Sequence, residues 1–149
     1  MRFIYTHCNE ENFKYVRYVR ESVFIDEQCI SADEESDEYD SNPSTDFIVL
    51  MDGDRAVATA RIAHRQHDDK IGRVAVLQEY RGQHLGAKIV SEAVRKVFAD
   101  GKTSAYLESQ KYAVGFYETL GFEICGEELI DRGIVHLPMT VTTKSFKGV

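Results

Sequence analysis

The segment Glu79–Val90, EYRGQHLGAKIV, follows the apolar, β-branched run RVAVL and carries Gly82 and Gly86 in a short turn between an expected strand and an expected helix. A helix begins with unpaired backbone N–H groups and a partial positive charge, so a glycine-bearing turn there suits phosphate or pyrophosphate. Glycine also suits an ordinary strand-to-helix turn, and spacing alone does not choose between the two. Neither GxxxxGK[ST] nor a GxGxxG after the first strand is present, which removes the common nucleotide-phosphate loops. Metal chemistry has little support. The HxxH pair His64 and His67 lacks a third ligand at recognised spacing, and the run Asp33–Asp40 lacks the glycine that an EF-hand loop needs at its sixth position. Cys8, Cys29 and Cys125 form no CxxC pair and read as reduced thiols. No metal is expected.

The elements that must position this turn come from one domain. A chain of 149 residues, 43% hydrophobic and 29% charged, is long enough for one sizeable core and too short for two ordinary domains, so residues 1–149 are expected to fold as a unit. No apolar stretch approaches the roughly 20 residues that cross a bilayer, and the N-terminus turns polar before a signal-like segment develops. A cytoplasmic protein without a membrane partner is the expectation. The net charge of −7 is concentrated: residues 26–46 hold nine acidic side chains and no Lys or Arg, leaving 16 acids against 18 bases elsewhere. Nucleic-acid binding, which wants a basic stripe, is disfavoured. The acidic segment reads as a solvated surface or as a lip that draws in a cationic substrate.

Along the chain, Phe3–His7 reads as a strand, and Asn9 could cap a helix with the apolar stripe Phe13, Val16, Val19 and Val23 that ends near Phe24. Phe47–Met51 and Ala56–Ala63 flank Asp-Gly-Asp as a hairpin, and Ile71–Leu77 is a further strand. Leu85, Ile89, Val90, Ala93, Val94, Val97 and Phe98 recur at helical spacing until Gly101. Ala105–Ser109 reads as a strand, Tyr112–Leu120 as a helix closed by Gly121, and Phe122–Ile130 and Ile134–Thr143 as two last strands. The order is β-α-β-β-β-α-β-α-β-β, with residues 26–46 unassigned and no internal repeat or linker.

With these elements in place, YRGQHLGAK resembles the pyrophosphate loop of the GNAT superfamily of acyl-CoA-dependent N-acyltransferases: Gln or Arg, two residues, Gly, one residue, then Gly or Ala. Arg81 and Gly86 fit the first and last positions, and His84 stands where the pattern has its first Gly. AVGFYETLGF, Ala113–Phe122, is similar to the family's late helix and following strand, with Tyr117 at the place of a tyrosine that often acts as general acid. Gln110 stands where many members have Asn. VRESVFIDEQ, the acidic stretch and GIVHLPM at 133–139 look like the ElaA-like subgroup. The resemblance implies an α/β (α+β) fold: a mixed, mostly antiparallel sheet splayed between its fourth and fifth strands, with helices on both faces. It also implies acetyl-CoA as co-substrate, and a monomer or homodimer acting on a small-molecule or peptide amine.

Amide formation of this kind requires an amine to lose a proton, attack a thioester carbonyl and pass a tetrahedral oxyanion before a thiolate leaves. An alkyl amine is protonated at neutral pH, so something must accept its proton. By resemblance, backbone N–H groups of Val74, Ala75 and Val76 serve the oxyanion and pantetheine, while Arg81, Gly82, Gln83, His84, Leu85, Gly86 and Ala87 hold the pyrophosphate, with Gln110 and Tyr117 beside the cofactor. Tyr117 would protonate the leaving sulfur. It also belongs to the apolar stripe Ala113, Phe116, Tyr117 and Leu120, where a core role serves equally. Glu108, Glu27 and His136 are the candidate bases, each with a plain alternative as a surface carboxylate or a satisfied core histidine. Two other classes remain open: a non-catalytic CoA-binding or sensing module, and a nucleotide-binding regulator.

Overall fold

Two apolar runs, Phe47–Met51 and Ala56–Ala63, are buried along their whole length rather than at alternate residues. Strands of that kind need cover on both sheet faces. A computed structural model describing residues 1–149 supplies it. The runs form β2 (Asp46–Asp52) and β3 (Arg55–His64), flanked by β1 (Arg2–Thr6) and β4 (Asp69–Val76) in an antiparallel meander. Helix α1 (Phe13–Arg20) and helix α3 (Leu85–Ala99) both pack on β3, and because β3 is buried on both sides they cover opposite faces. Val16 and Val19 from α1, and Ile89, Val90, Ala93, Val94 and Val97 from α3, are fully enclosed in the resulting core. No helix is long and apolar enough to cross a membrane.

The sheet continues through β5 (Ser104–Gln110), β8 (Ile134–Thr142) and the short β6 (Glu123–Ile124) in the order β1-β2-β3-β4-β5-β8-β6. β4 and β5 run parallel and meet at a single register pair, Lys70 with Tyr106. Beyond it they part, while β5 stays paired with β8 from Ser104–Thr142 to Gln110–His136. This is the mixed, splayed sheet that the GNAT resemblance implies. A helix α4 (Val114–Thr119), entered by a 3-10 turn at Lys111–Ala113, sits after β5.

Three local features differ from the sequence reading. The first helix starts at Phe13 with Asn12, not Asn9, at its cap, and continues past Arg20 as a π-helical segment, Glu21–Glu27. The widened turns, such as Gln28 N–H to Val23 O at 3.0 Å, have no signature in a 3.6-residue pattern. The acidic stretch is ordered as α2 (Ala32–Glu35), where Ser31 Oγ accepts from Glu34 N–H, and a 3-10 turn at Glu38–Ser41 with a reciprocal Asp37/Asp40 cap. Lastly, the expected strand Phe122–Ile130 is two short strands, β6 (Glu123–Ile124) and β7 (Leu129–Asp131), both paired with β8. The break falls opposite Pro138, which has no N–H to give the ladder; the Cys125 N–H bonds to the Pro138 carbonyl at 2.9 Å.

A chain of alternating acids and imidazoles crosses the strand ends nearest the β4–β5 junction. His7 lies between Glu10 (Nδ1–Oε1 2.8 Å) and Asp46 (Nε2–Oδ1 2.8 Å), and His64 between Asp46 (Nε2–Oδ2 2.7 Å) and Asp69 (Nδ1–Oδ1 2.9 Å). Asp69 is buried, with Lys102 Nζ at 3.8 Å from Oδ1. A ring with a carboxylate at each nitrogen must donate from both, which is the imidazolium form. Burial lowers the His64 pKa, but Asp46 and Asp69 outweigh it and leave it raised; His7 is raised in the same way by Asp46 and Glu10. The stabilisation is therefore complete below the unfolded value of 6.5 and is lost as pH rises through the higher folded value. Urea unfolding at pH 6 and pH 9 should show lower stability at the higher pH, and His64→Gln should remove much of that slope. Equal stability of the native chain at both pH values would contradict the charged assignment.

Candidate active site

The turn after β4 is held by its own arginine. Arg81 Nη2 donates to Glu27 Oε1 at 2.6 Å while Nη1 takes the other carboxylate oxygen, and Nε and Nη2 reach the Val76 carbonyl at 3.1 and 3.0 Å. One guanidinium thus ties the π-helical segment, the end of β4 and the turn together. Gly82 has φ +80° and His84 φ +61°. His84 therefore adopts the left-handed conformation that a glycine would take there without steric cost, a region His enters more readily than most side chains. The first bond of α3 is Lys88 N–H to His84 O at 3.1 Å, and the N–H groups of Gly82, Gln83, His84, Leu85, Gly86 and Ala87 have no backbone acceptor. They form a bare N–H array at the positive end of a 15-residue helix.

Next to this array runs the open edge of β4. Leu77 N–H bonds to Val57 O across the β3 ladder at 2.9 Å, so strand alternation turns the Val76 N–H toward the gap where β5 has departed. Gly86 borders the same space: a Cβ there would lie 3.6 Å from Phe116 Cζ on α4 and 4.0 Å from Val76 Cγ2. An extended chain carrying phosphate at one end fits these residues, with N–H donors at the helix start, a side-chain-free position at Gly86 and an unpaired strand edge leading inward.

The gap opens into a cavity of about 590 Å³ walled by Ile71–Val74 of β4 and Leu107–Gln110 of β5, and covered by residues from the segment Phe24–Tyr39 and from the β7–β8 hairpin. Tyr117, Glu108, His136, Gln110 and Val74 line it; Glu27, Ala75, Val76 and the 81–87 turn do not. Tyr117 is packed edge-on to Phe116 and Phe122, with ring centres 5.0 and 5.7 Å away. Burial, with a smaller effect of Tyr112, pushes its hydroxyl up to about 12, so it is a proton donor at neutral pH. It is a core contact and a cavity-lining group at once.

The three candidate bases differ in what already holds them. Glu27 has both oxygens taken by Arg81, whose hydrogen bond leads in lowering its pKa. Glu108 accepts from Lys70 Nζ and from Tyr106 Oη, each at 2.8 Å; burial raises its pKa, but these partners outweigh it and leave it lowered. His136, 8% exposed, has Nδ1 2.9 Å from the Ile134 carbonyl. A carbonyl only accepts, so Nδ1 carries a proton, and Nε2 is the nitrogen that can offer a lone pair.

Part of the acidic segment is folded inward onto arginines, while Asp26, Asp33, Glu34 and Glu38 stay exposed. Arg20 binds Glu35 and Asp40, Arg61 binds Asp37 at 2.7 Å and Asp40 at 3.1 Å, and Arg73 meets Asp37 at 3.2 Å. Burial raises the Asp40 pKa, yet Arg20 and Arg61 outweigh it and hold the carboxyl well below the usual range. The sequence reading missed Arg61 and Arg73 of the cavity, although an Arg inside each of the apolar runs ATARIA and GRVAV was a visible signal.

The comparisons with known proteins agree with this geometry. The model of the Acetyltransferase (GNAT) domain matches residues 6–143. The chain belongs to the GNAT acetyltransferase family. It is 38% identical over 133 residues, 88% of this chain and 93% of the relative, to the uncharacterized N-acetyltransferase YjcF of Bacillus subtilis. The crystal structure of Escherichia coli ElaA matches with a TM-score of 0.83 and 25% identity, covering 95% of this chain and 99% of that one, which supports an ElaA-like GNAT assignment. An aminoglycoside 6'-N-acetyltransferase crystallised with coenzyme A shares the fold, with a TM-score of 0.77 and 16% identity over 95% of this chain and 97% of its own.

The site geometry makes one direct prediction. Acetyl-CoA should raise the Tm, since a ligand that binds only the native state stabilises it by mass action. Gly86→Leu, which fills the space toward Phe116 and Val76, should weaken that binding about tenfold or more in a protein that still folds. A folded Gly86→Leu protein with unchanged affinity would show that the turn is structural only.

Proposed function

We propose that this protein transfers the acetyl group of acetyl-CoA to a primary amine by direct attack within the β4–β5 cavity. The observation that carries the reading is the convergence of a bare N–H array, an unpaired strand edge and two suitable proton-handling groups, Tyr117 and His136, on one gap in the sheet. The neighbour crystallised with coenzyme A supports the choice of cofactor. Acetyl-CoA supplies an activated acyl carbon and a thiolate leaving group. The chain's own residues do the rest. N–H groups of Gly82–Ala87 hold the pyrophosphate, and the Val76 N–H, with Val74, Ala75 and Gln110 nearby, guides the pantetheine arm inward. His136 Nε2 takes the proton that the acceptor amine gives up as its nitrogen bonds to the acetyl carbon. The Tyr117 hydroxyl gives its proton to sulfur as the carbon–sulfur bond breaks.

Glu108 and Glu27 serve better as fixed anions than as bases, because cations occupy their oxygens. Glu27 anchors the arginine of the cofactor turn, and Glu108 fixes Lys70 at the point where the strands part. A panel of primary amines, assayed by release of the free CoA thiol, tests the proposed activity. Tyr117→Phe and His136→Gln should each lower kcat about 100-fold, the usual scale for loss of general acid or base catalysis, with acetyl-CoA affinity nearly intact. Turnover equal to that of the parent in both variants would overturn these roles.

A further inference from the structure

Three guanidinium groups that nothing in the proposed acetyl transfer uses lie in the cavity that also holds Tyr117 and His136. Arg61, Arg73 and Arg132 all line it. Arg61 is 4% exposed, and its Nε has no hydrogen-bond partner in the protein. Burying such a charged donor unpaired is unfavourable. Arg73 sits at an irregularity in β4. The register with β3 shifts between Thr59 and Arg61, and Arg73 has φ +49°, a left-handed conformation that a residue with a Cβ disfavours. Between the pairs Gly72–Arg61 and Ala75–Thr59 β4 carries one residue more than β3, and Arg73 in this bulge has its side chain 15% exposed on the cavity wall.

The local carboxylates do not saturate these cations. Arg61 and Arg73 share Asp37, and Asp40 is shared between Arg61 and Arg20. Arg73 donates from Nε to the Glu35 carbonyl and from Nη2 to Asp37, which leaves Nη1 free. Arg132 touches the Glu34 carbonyl at 3.1 Å, and its nearest carboxylate, Asp131, lies 3.9 Å away. Glu108 is taken by Lys70, and Glu34, which also lines the cavity, is exposed. Burial first, and then the charges of Arg61 and Arg132, lower the Arg73 guanidinium to about 10, still cationic at neutral pH.

We propose that the acceptor is an amine that also bears an anionic group, a carboxylate or a phosphate, bound by Arg73 with Arg61 and Arg132 beside it. The inference rests on the acetyltransferase reading above and names the substrate class of that same site. A planar guanidinium gives paired, directional hydrogen bonds to either anion, and a partly desolvated cluster strengthens them. Binding at the anionic end would hold the amine in place within the cavity that Tyr117 and His136 also line.

The test uses matched amines: β-alanine with β-alaninamide for the carboxylate, and O-phosphoethanolamine with ethanolamine for the phosphate, with putrescine as a cationic comparison. Thiol release gives kcat/KM for each, and Tm shifts measured without acetyl-CoA report binding independently of turnover. The anionic member of at least one pair should be preferred about 10- to 100-fold, the worth of a charged hydrogen bond, and which pair shows it identifies the anion. Arg73→Gly removes the guanidinium while suiting the positive φ, and should collapse that ratio toward one; Arg132→Gln should reduce it less. Preference for the neutral amines or putrescine, or a ratio unchanged in folded Arg73→Gly, overturns the anionic acceptor while leaving acetyl transfer standing. Anion-dependent Tm shifts without turnover of any amine would keep the anion site and sink the transferase reading. Neither shifts nor turnover would overturn both.

Discussion

The parting of β4 from β5 after Lys70 and Tyr106 is the constraint on which the rest of the structure depends. A strand edge left open in the middle of a sheet presents polar backbone groups that must find partners or a ligand. Here the gap stays open because each side is secured elsewhere. β4 is laddered to β3, β5 to β8, and the Lys70–Glu108–Tyr106 contacts fix the vertex. The His7–Asp46–His64–Asp69 chain secures the strand ends on the same side as that vertex. Arg81 satisfies the Val76 carbonyl, so at this residue the N–H is the group that remains to bind.

Electrostatics holds the opposite wall. Arg20, Arg61 and Arg73 draw the acidic segment onto β3 and β4, and the side chains of Arg20, Arg61, Glu35 and Asp40 are each no more than 10% exposed. Removing one partner from such a network strands a buried charge, which is far more damaging than losing a surface ion pair. The segment that looked most solvated in the sequence is therefore the folded cover of the cavity. Glu35, Asp37 and Asp40 fix these arginines in place, and Arg61 and Arg73 reach the cavity wall.

Much of the scaffold was legible because its periodic patterns are strong. The stripe from Leu85 to Val97 is buried as its spacing predicts, and Gly101, with φ +99°, marks the end of that helix. The doubly buried runs of β2 and β3 read correctly as strands, and the glycine turn read correctly as a helix start. The splay itself has no pattern in hydrophobicity; the GNAT resemblance supplied it. Residues 7, 46, 64 and 69 are joined only by strand register, so no local spacing could reveal their chain of hydrogen bonds. The Arg73 irregularity and the π-helical turns depend on backbone angles that alternation and helical periodicity do not encode. Among the bases, sequence could name Glu27, Glu108 and His136, but only tertiary contacts show which of them has an unengaged acceptor.

The central claim is that the open β4 edge and the bare helix start bind a single extended cofactor. Backbone hydrogen–deuterium exchange, followed with and without saturating acetyl-CoA, tests it most directly. Slower exchange should appear at Val76 and through Gly82–Ala87, while β1 and β2, on the far side of the sheet, remain unchanged. Bound acetyl-CoA that left exchange at these amides unaltered would contradict the account.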